Sequence, residues 1–173
     1  IDWAASWEEA AERARAENKP VLVVAWLLAT FTGASDARHG ILMDPDLITK
    51  VTSIAARYRV DLSRLRIEIL ESTLLSERTE NVTLKLHRLA DIGVGLALDD
   101  FGTGHAAISS LLNFPISRVK LDRSLVRNIN SDPRRQAVSV AILEMVDQLS
   151  VDCLVEGIET REELQFLESA GFN

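Results

Sequence analysis

The sequence predicts an α/β domain built on parallel strands. Short apolar runs alternate with amphipathic stretches at roughly 20 to 35 residues per unit, the rhythm of strands joined by right-handed helical crossovers. Four of the runs carry polar, mostly charged residues at or near their carboxyl ends, where α/β proteins gather their chemistry. At 173 residues the chain is long enough for one domain with a real core. Periodicity leaves two arrangements open, a doubly wound open sheet and a (β/α) barrel.

Ser6, Trp7, Glu8 and Glu9 form a capping box that opens a helix to about Asn18, and Pro20 stops it. Val21 to Phe31 reads as a buried strand; its eleven residues are too few to cross a bilayer, and the segment before it is acidic, unlike a signal peptide. Asp44-Pro45 is a cap with a first-turn proline, predicting a helix to about Arg59. Leu65 to Leu70 is the next strand, and a helix over Glu80 to Ile92 ends at Gly93. Val94 to Leu98 is a strand closing on Asp99-Asp100, and Ala106 to Asn113 is helical. Arg118 to Leu121 is a strand around Lys120, and Asp132 to Leu149 is a long helix. Val151 to Val155 is a strand closing on Glu156. Thr160 and Glu163 form a second capping box, whose helix ends at Gly171.

The net charge of −7, from 26 acidic and 19 basic residues, argues against a binder of DNA or RNA duplexes, which needs a basic footprint. An acidic chain can still take a phosphodiester through metal ions. The single Cys153, in an apolar run, excludes an internal disulfide and a cysteine zinc site, and is compatible with the cytoplasm.

Glu68, Glu71, Asp99, Asp100, Asp122, Glu156 and Glu159 lie at or just beyond strands. A carboxylate in an apolar strand needs a partner, a hydrogen bond or a metal. With no histidine or cysteine among them, the set suits Mg²⁺ or Mn²⁺ rather than zinc, and adjacent aspartates suit a two-metal site. Helix caps and surface salt bridges are the alternative for each residue singly. Lys120, inside a short apolar strand, is read as an ammonium held by a carboxylate, as a general base in a dry site, or as an outward-facing lysine on a strand edge. Phe101-Gly102-Thr103-Gly104 is a flexible loop. His39, His87 and His105 share no spacing.

Together these residues resemble the EAL domain family. Leu-Arg-Ile-Glu-Ile-Leu-Glu-Ser (65–72), Leu-Asp-Asp-Phe-Gly-Thr-Gly (98–104), Arg-Val-Lys-Leu-Asp-Arg-Ser (118–124) and Val-Glu-Gly-Ile-Glu-Thr (155–160) match its motifs in order and spacing. The resemblance implies an α/β fold of the (β/α)₈ TIM-barrel type, two Mg²⁺ or Mn²⁺ ions, and hydrolysis of cyclic di-GMP to the linear dinucleotide. It implies metal ligation by Glu68, Asp99, Asp100 and Glu156, with Lys120 and Glu156 catalytic. Glu71 would anchor the glycine loop, and Phe101, Gly102, Thr103, Gly104 and Asp122 would meet substrate.

The resemblance spans residues 41–173, and residues 1–40 form an atypical helix–strand segment packed on or completing the barrel. That segment is similar to the start of thioredoxin-like domains but has no Cys-x-x-Cys, which excludes thiol redox chemistry. No Glu-Ala-Leu motif occurs, the second-strand asparagine ligand has no counterpart, and the terminal strand is missing, so the barrel is expected to be incomplete at both ends. Two alternatives follow: an inactive module that binds cyclic di-GMP or a protein, and a truncated or engineered barrel scaffold. Exposed sheet edges would suit a homodimer, and sensor or regulatory domains fused outside this chain are compatible with the family.

Overall fold

The computed structural model describes residues 16, 21–24, 44–70, 74, 80–102 and 107–172. The first capping box, the strand expected after residue 24, Glu71, Thr103, Gly104, His39 and His105 lie outside the described residues. The chain divides into two compact units, Ile1–Ile69 with Ser76–Leu96, and Leu70–Leu75 with Ala97–Asn173.

In the first unit, β1 (Val21–Val24) pairs in parallel with β2 (Leu65–Leu70), in a register running from Val21↔Leu65 to Val24↔Glu68. Two amphipathic helices, α1 (Leu47–Tyr58) and α2 (Glu80–Asp91), supply core residues at helical spacing: Leu47, Val51 and Ala55 from one, Val82, Leu86 and Leu89 from the other. Helix α1 starts three residues after Asp44, later than the capping pattern predicts. The Asp44 carboxylate accepts from the Asp46 N–H at 2.8 Å and pairs with Lys50, so it closes a turn before the helix and Pro45 falls inside that turn. Gly93, at φ +93°, ends α2; the Val94 N–H returns to the Leu89 carbonyl at 3.0 Å and the Gly93 N–H to that of Ala90 at 2.9 Å, a left-handed stop that favours glycine.

The second unit is built on three parallel strands, β3 (Gly95–Phe101, entering from the first unit), β4 (Arg118–Leu121) and β5 (Asp152–Val155). Its helices are α3 (Ala107–Asn113), α4 (Arg123–Val126), α5 (Pro133–Gln148) and α6 (Arg161–Ser169). Asp132 caps α5 by accepting from the Arg134 and Arg135 N–H groups, and Pro133 takes the first turn, where no N–H is needed. The core is made by Leu98, Phe101, Val119, Leu121, Val126, Ile129, Val146 and Leu167, all nearly or wholly inaccessible. β5 is the least covered of these three strands. Its Cys153 is half-buried, and burial pushes the thiol up to about 11, which leaves it protonated and unreactive at neutral pH.

Candidate metal and active site

The second unit places its charge at the carboxyl ends of β3, β4 and β5. Lys120 lies in the middle of an apolar strand, between Val119 and Leu121, and its side chain is only 7% exposed. A buried ammonium is costly unless it is paired. Its Nζ lies 3.0 Å from Asp99 Oδ1 at the end of β3 and 3.1 Å from Glu156 Oε1 just past β5. Of the readings of Lys120, the geometry is that of an ammonium held by carboxylates. One cation therefore joins the ends of all three strands.

The two aspartates reach this place through a bulge. Leu98 pairs with Val119 and Phe101 with Leu121, so β3 uses three steps where β4 uses two. The extra residue breaks the two-residue alternation of a regular strand, so neighbouring carboxylates are not forced to opposite faces. Asp100 takes up the irregularity in the left-handed region at φ +57°, and its N–H donates to Asp99 Oδ1 at 3.1 Å. The carboxyl group of Asp100 is pushed up, first by desolvation, then by the charges of Asp99 and Asp122 and, more weakly, Glu156; Lys120 opposes the shift.

Behind the bulge, Phe101 is core, and the Asp122 N–H donates to its carbonyl at 3.2 Å, tying the exit of β4 to the end of β3. Asp122 caps α4 by accepting from the Ser124 N–H at 2.8 Å. Gly102, exposed at φ +99°, holds a left-handed backbone that favours glycine, and a Cβ there would have to displace the tip of the Leu125 side chain, 2.5 Å away. The predicted ligand Glu68 is 6% exposed between Ile67 and Ile69 and belongs to the first unit. Glu71, Thr103 and Gly104 lie outside the described residues.

Glu163 is the residue the sequence undervalued. Its capping box with Thr160 is present as expected, with the Glu163 N–H donating to Thr160 Oγ1 at 3.2 Å. The same carboxylate also accepts from the Asn128 N–H at 2.7 Å, a partner 35 residues away that no local pattern reveals.

The carboxylate oxygens of this cluster are the donor type that a hard divalent cation takes. Among the described residues, no group of three or more Asp, Glu, His or Cys side chains converges closely enough to hold a metal ion. The carboxylates meet on the Lys120 ammonium rather than on one another.

An α/β protein with carboxylates and a lysine at the ends of parallel strands belongs to the broad class that works at the carboxyl edge of its sheet. Residues 32–173 match the EAL domain family, and the chain belongs to that family. It is 34% identical over 144 residues to the cyclic di-GMP phosphodiesterase PA2567 of Pseudomonas aeruginosa, a match that covers 83% of this chain and 24% of the relative. The chain thus spans about a quarter of that protein's length. A standalone EAL protein of Vibrio cholerae, solved with cyclic di-GMP bound, is 30% identical with a TM-score of 0.65, over 75% of this chain and 54% of that one. BlrP1 of Klebsiella pneumoniae, solved as a manganese and cyclic di-GMP complex, has the same fold at a TM-score of 0.80 and 24% identity, over 94% of this chain and 38% of that one. The fold is accordingly the α/β, barrel-like EAL fold in part. Among the described residues no helix is long and apolar enough to cross a membrane.

Proposed function

We propose that this chain is the catalytic part of a metal-dependent phosphodiesterase that opens cyclic di-GMP to its linear dinucleotide. The observation that carries the reading is the buried Lys120, held at 3.0 and 3.1 Å by Asp99 and Glu156 at the ends of three parallel strands of an EAL fold. Asp99, Asp100 and Glu156 would hold Mg²⁺ or Mn²⁺. When bound, such ions supply an acidified water and a counter-charge for the phosphate. Lys120 fixes the Asp99 and Glu156 carboxylates in place and presents a positive charge toward an anionic phosphodiester. The bulge at Asp99–Asp100 places two adjacent carboxylates at one strand end, and the Asp122 tie to Phe101 keeps that end fixed. Phe101 to Gly104 and Asp122 would line the substrate. A cytoplasmic location belongs to the same reading, because a bacterial second messenger is made and destroyed inside the cell.

The test is incubation with cyclic di-GMP and Mn²⁺, following linear product by chromatography. Turnover should be present in the parent chain and lost in Asp99→Ala, and full turnover in that variant would sink the proposal. The described carboxylates do not close on a common point, which favours one second reading, a module that binds the dinucleotide without cleaving it. Calorimetry that registers binding while no product forms would decide for it.

A further inference from the structure

We propose that Glu163 is a positioning residue of this site: its carboxylate staples the segment leaving β5, which carries Glu156, to the turn that follows Lys120's strand. The serving of metal or substrate by that segment rests on the function proposed above; the staple itself does not.

The β4–β5 ladder ends at Leu121↔Val155, and Glu156 is the first residue beyond it. From there no strand pairing fixes where its carboxylate stands. Glu163 Oε2 accepts from the Glu159 N–H at 2.9 Å and the Thr160 N–H at 3.1 Å, on the segment that begins at Glu156. Glu163 Oε1 accepts from the Asn128 N–H at 2.7 Å, on the segment that leaves β4 through α4. Asn128 is itself left-handed, at φ +59°, so its N–H direction is set by a specific turn. Glu163 is 3% exposed, and hydrogen bonds from backbone N–H groups to an ionised acceptor are among the stronger kind. These bonds hold its carboxyl below the ordinary glutamate range, the Glu159 N–H contributing most, then that of Asn128.

A second feature shows how close the two segments lie. Gly157, at φ +73°, has no room for a Cβ, which would stand 2.8 Å from Arg123 Cγ and 2.9 Å from its Cβ. Arg123 also pairs with Glu159 at 2.9 Å, but both side chains are half-exposed, so this pair is screened and weak. The buried carboxylate is the stronger of the two ties.

Capping and stapling can be separated. Glu163→Gln keeps one acceptor oxygen, and glutamine serves a capping box as well as glutamate does. Turned toward its two donors at Glu159 and Thr160, that oxygen leaves an NH₂ facing the Asn128 N–H, so the cap survives and the staple is lost. Thr160→Ala does the reverse, removing the cap hydroxyl and leaving the staple. In metal-free protein, amide hydrogen exchange at Asn128 should speed up about tenfold or more in Glu163→Gln, and the Glu156 and Gly157 amide resonances should shift. Calorimetric Mn²⁺ affinity should fall about tenfold, as for other residues that orient metal ligands. In Thr160→Ala, exchange should rise in the first turn of α6 and the melting temperature should drop. Its Mn²⁺ affinity should stay within about twofold of the parent, because the ligands are still held.

The proposal is overturned if Glu163→Gln leaves Asn128 exchange and the Glu156 and Gly157 resonances unmoved. It is equally overturned if Asn128 exchange rises while Mn²⁺ affinity is unchanged, or if Thr160→Ala weakens Mn²⁺ as much as Glu163→Gln does. Should the parent chain bind no Mn²⁺, the proposed function loses its metal site. The exchange and resonance shifts still decide the positioning role.

Discussion

The two ends of the β4–β5 strand pair carry the same chemistry in opposite settings. At the amino end, Arg118 Nη2 meets Asp152 Oδ2 at 2.7 Å, with the two side chains 29% and 62% exposed. At the carboxyl end, Lys120 meets Asp99 and Glu156 at 3.0 and 3.1 Å, with the ammonium 7% exposed. The shorter contact is the weaker one. An exposed pair replaces water with a carboxylate and stabilises by about 0 to 1 kcal/mol. A buried ammonium has lost its water and depends on its partners, so breaking its contacts leaves charges without compensation. One end of the pair decorates the fold; the other holds a buried cation that depends on its carboxylates.

The largest test of that contrast is Lys120→Met. It leaves Asp99 and Glu156 facing one another without the ammonium, with an unbranched side chain only one atom shorter in its place. We expect a loss of roughly 1 to 3 kcal/mol in urea denaturation without metal, below the full buried-pair figure because both carboxylates retain some water. Mn²⁺-dependent turnover should fall about 100-fold or more. Millimolar Mn²⁺ should recover part of the lost stability, since it supplies the missing positive charge. If Lys120→Met costs no more than Arg118→Gln, burial does not distinguish the two ends and the comparison fails.

A smaller effect comes from Asp100, where the site works against the fold. Its carboxyl is raised by burial and by Asp99, Asp122 and Glu156. A raised acid lowers stability wherever the unfolded group is already ionised, and the cost is fully present above the folded value. Below the unfolded value, near about pH 4, both states are protonated and the cost vanishes. Asp100→Asn should therefore gain a few tenths of a kcal/mol, about 0.5 at most, at pH 7, because asparagine also accepts the left-handed backbone well. The charge part of that gain should disappear at pH 3.5, while Mn²⁺ binding is weakened at every pH. Denaturation at the two pH values checks it, and a destabilised variant at pH 7 would mean that Asp100 is held by native contacts stronger than the repulsion.

How far these features were legible depended on their range. Leu65–Leu70 and Arg118–Leu121 are strands to the residue, because each is a short run bounded by clear breaks. The importance of Lys120 was readable for the same reason: a charge inside an apolar strand requires a partner wherever it falls. By contrast, β3 runs on through both aspartates to Phe101, beyond the expected end at Leu98. A bulge is a property of two paired strands, and one strand's residues do not encode it. Helix α4, four residues long, is too short to show a period. Glu163 displayed its local bond to Thr160 in sequence, but its bond to Asn128 exists only once the two segments are folded side by side.

The smallest effect closes the comparison from its weak side. Asp152→Asn removes the charge of the exposed pair and leaves the β5 backbone register through Arg118↔Asp152 untouched. The expected loss is about 0.5 kcal/mol or less at low salt, and near zero in roughly 0.5 M NaCl, where screening acts over a few ångströms. More of the loss at Lys120 should persist in the same salt, because screening ions reach the buried ammonium poorly. The salt dependence thus separates the two ends without reference to catalysis. A salt-resistant loss at Asp152 would show that this end is also desolvated, and that the charge at the amino ends of the strands carries structural weight of its own.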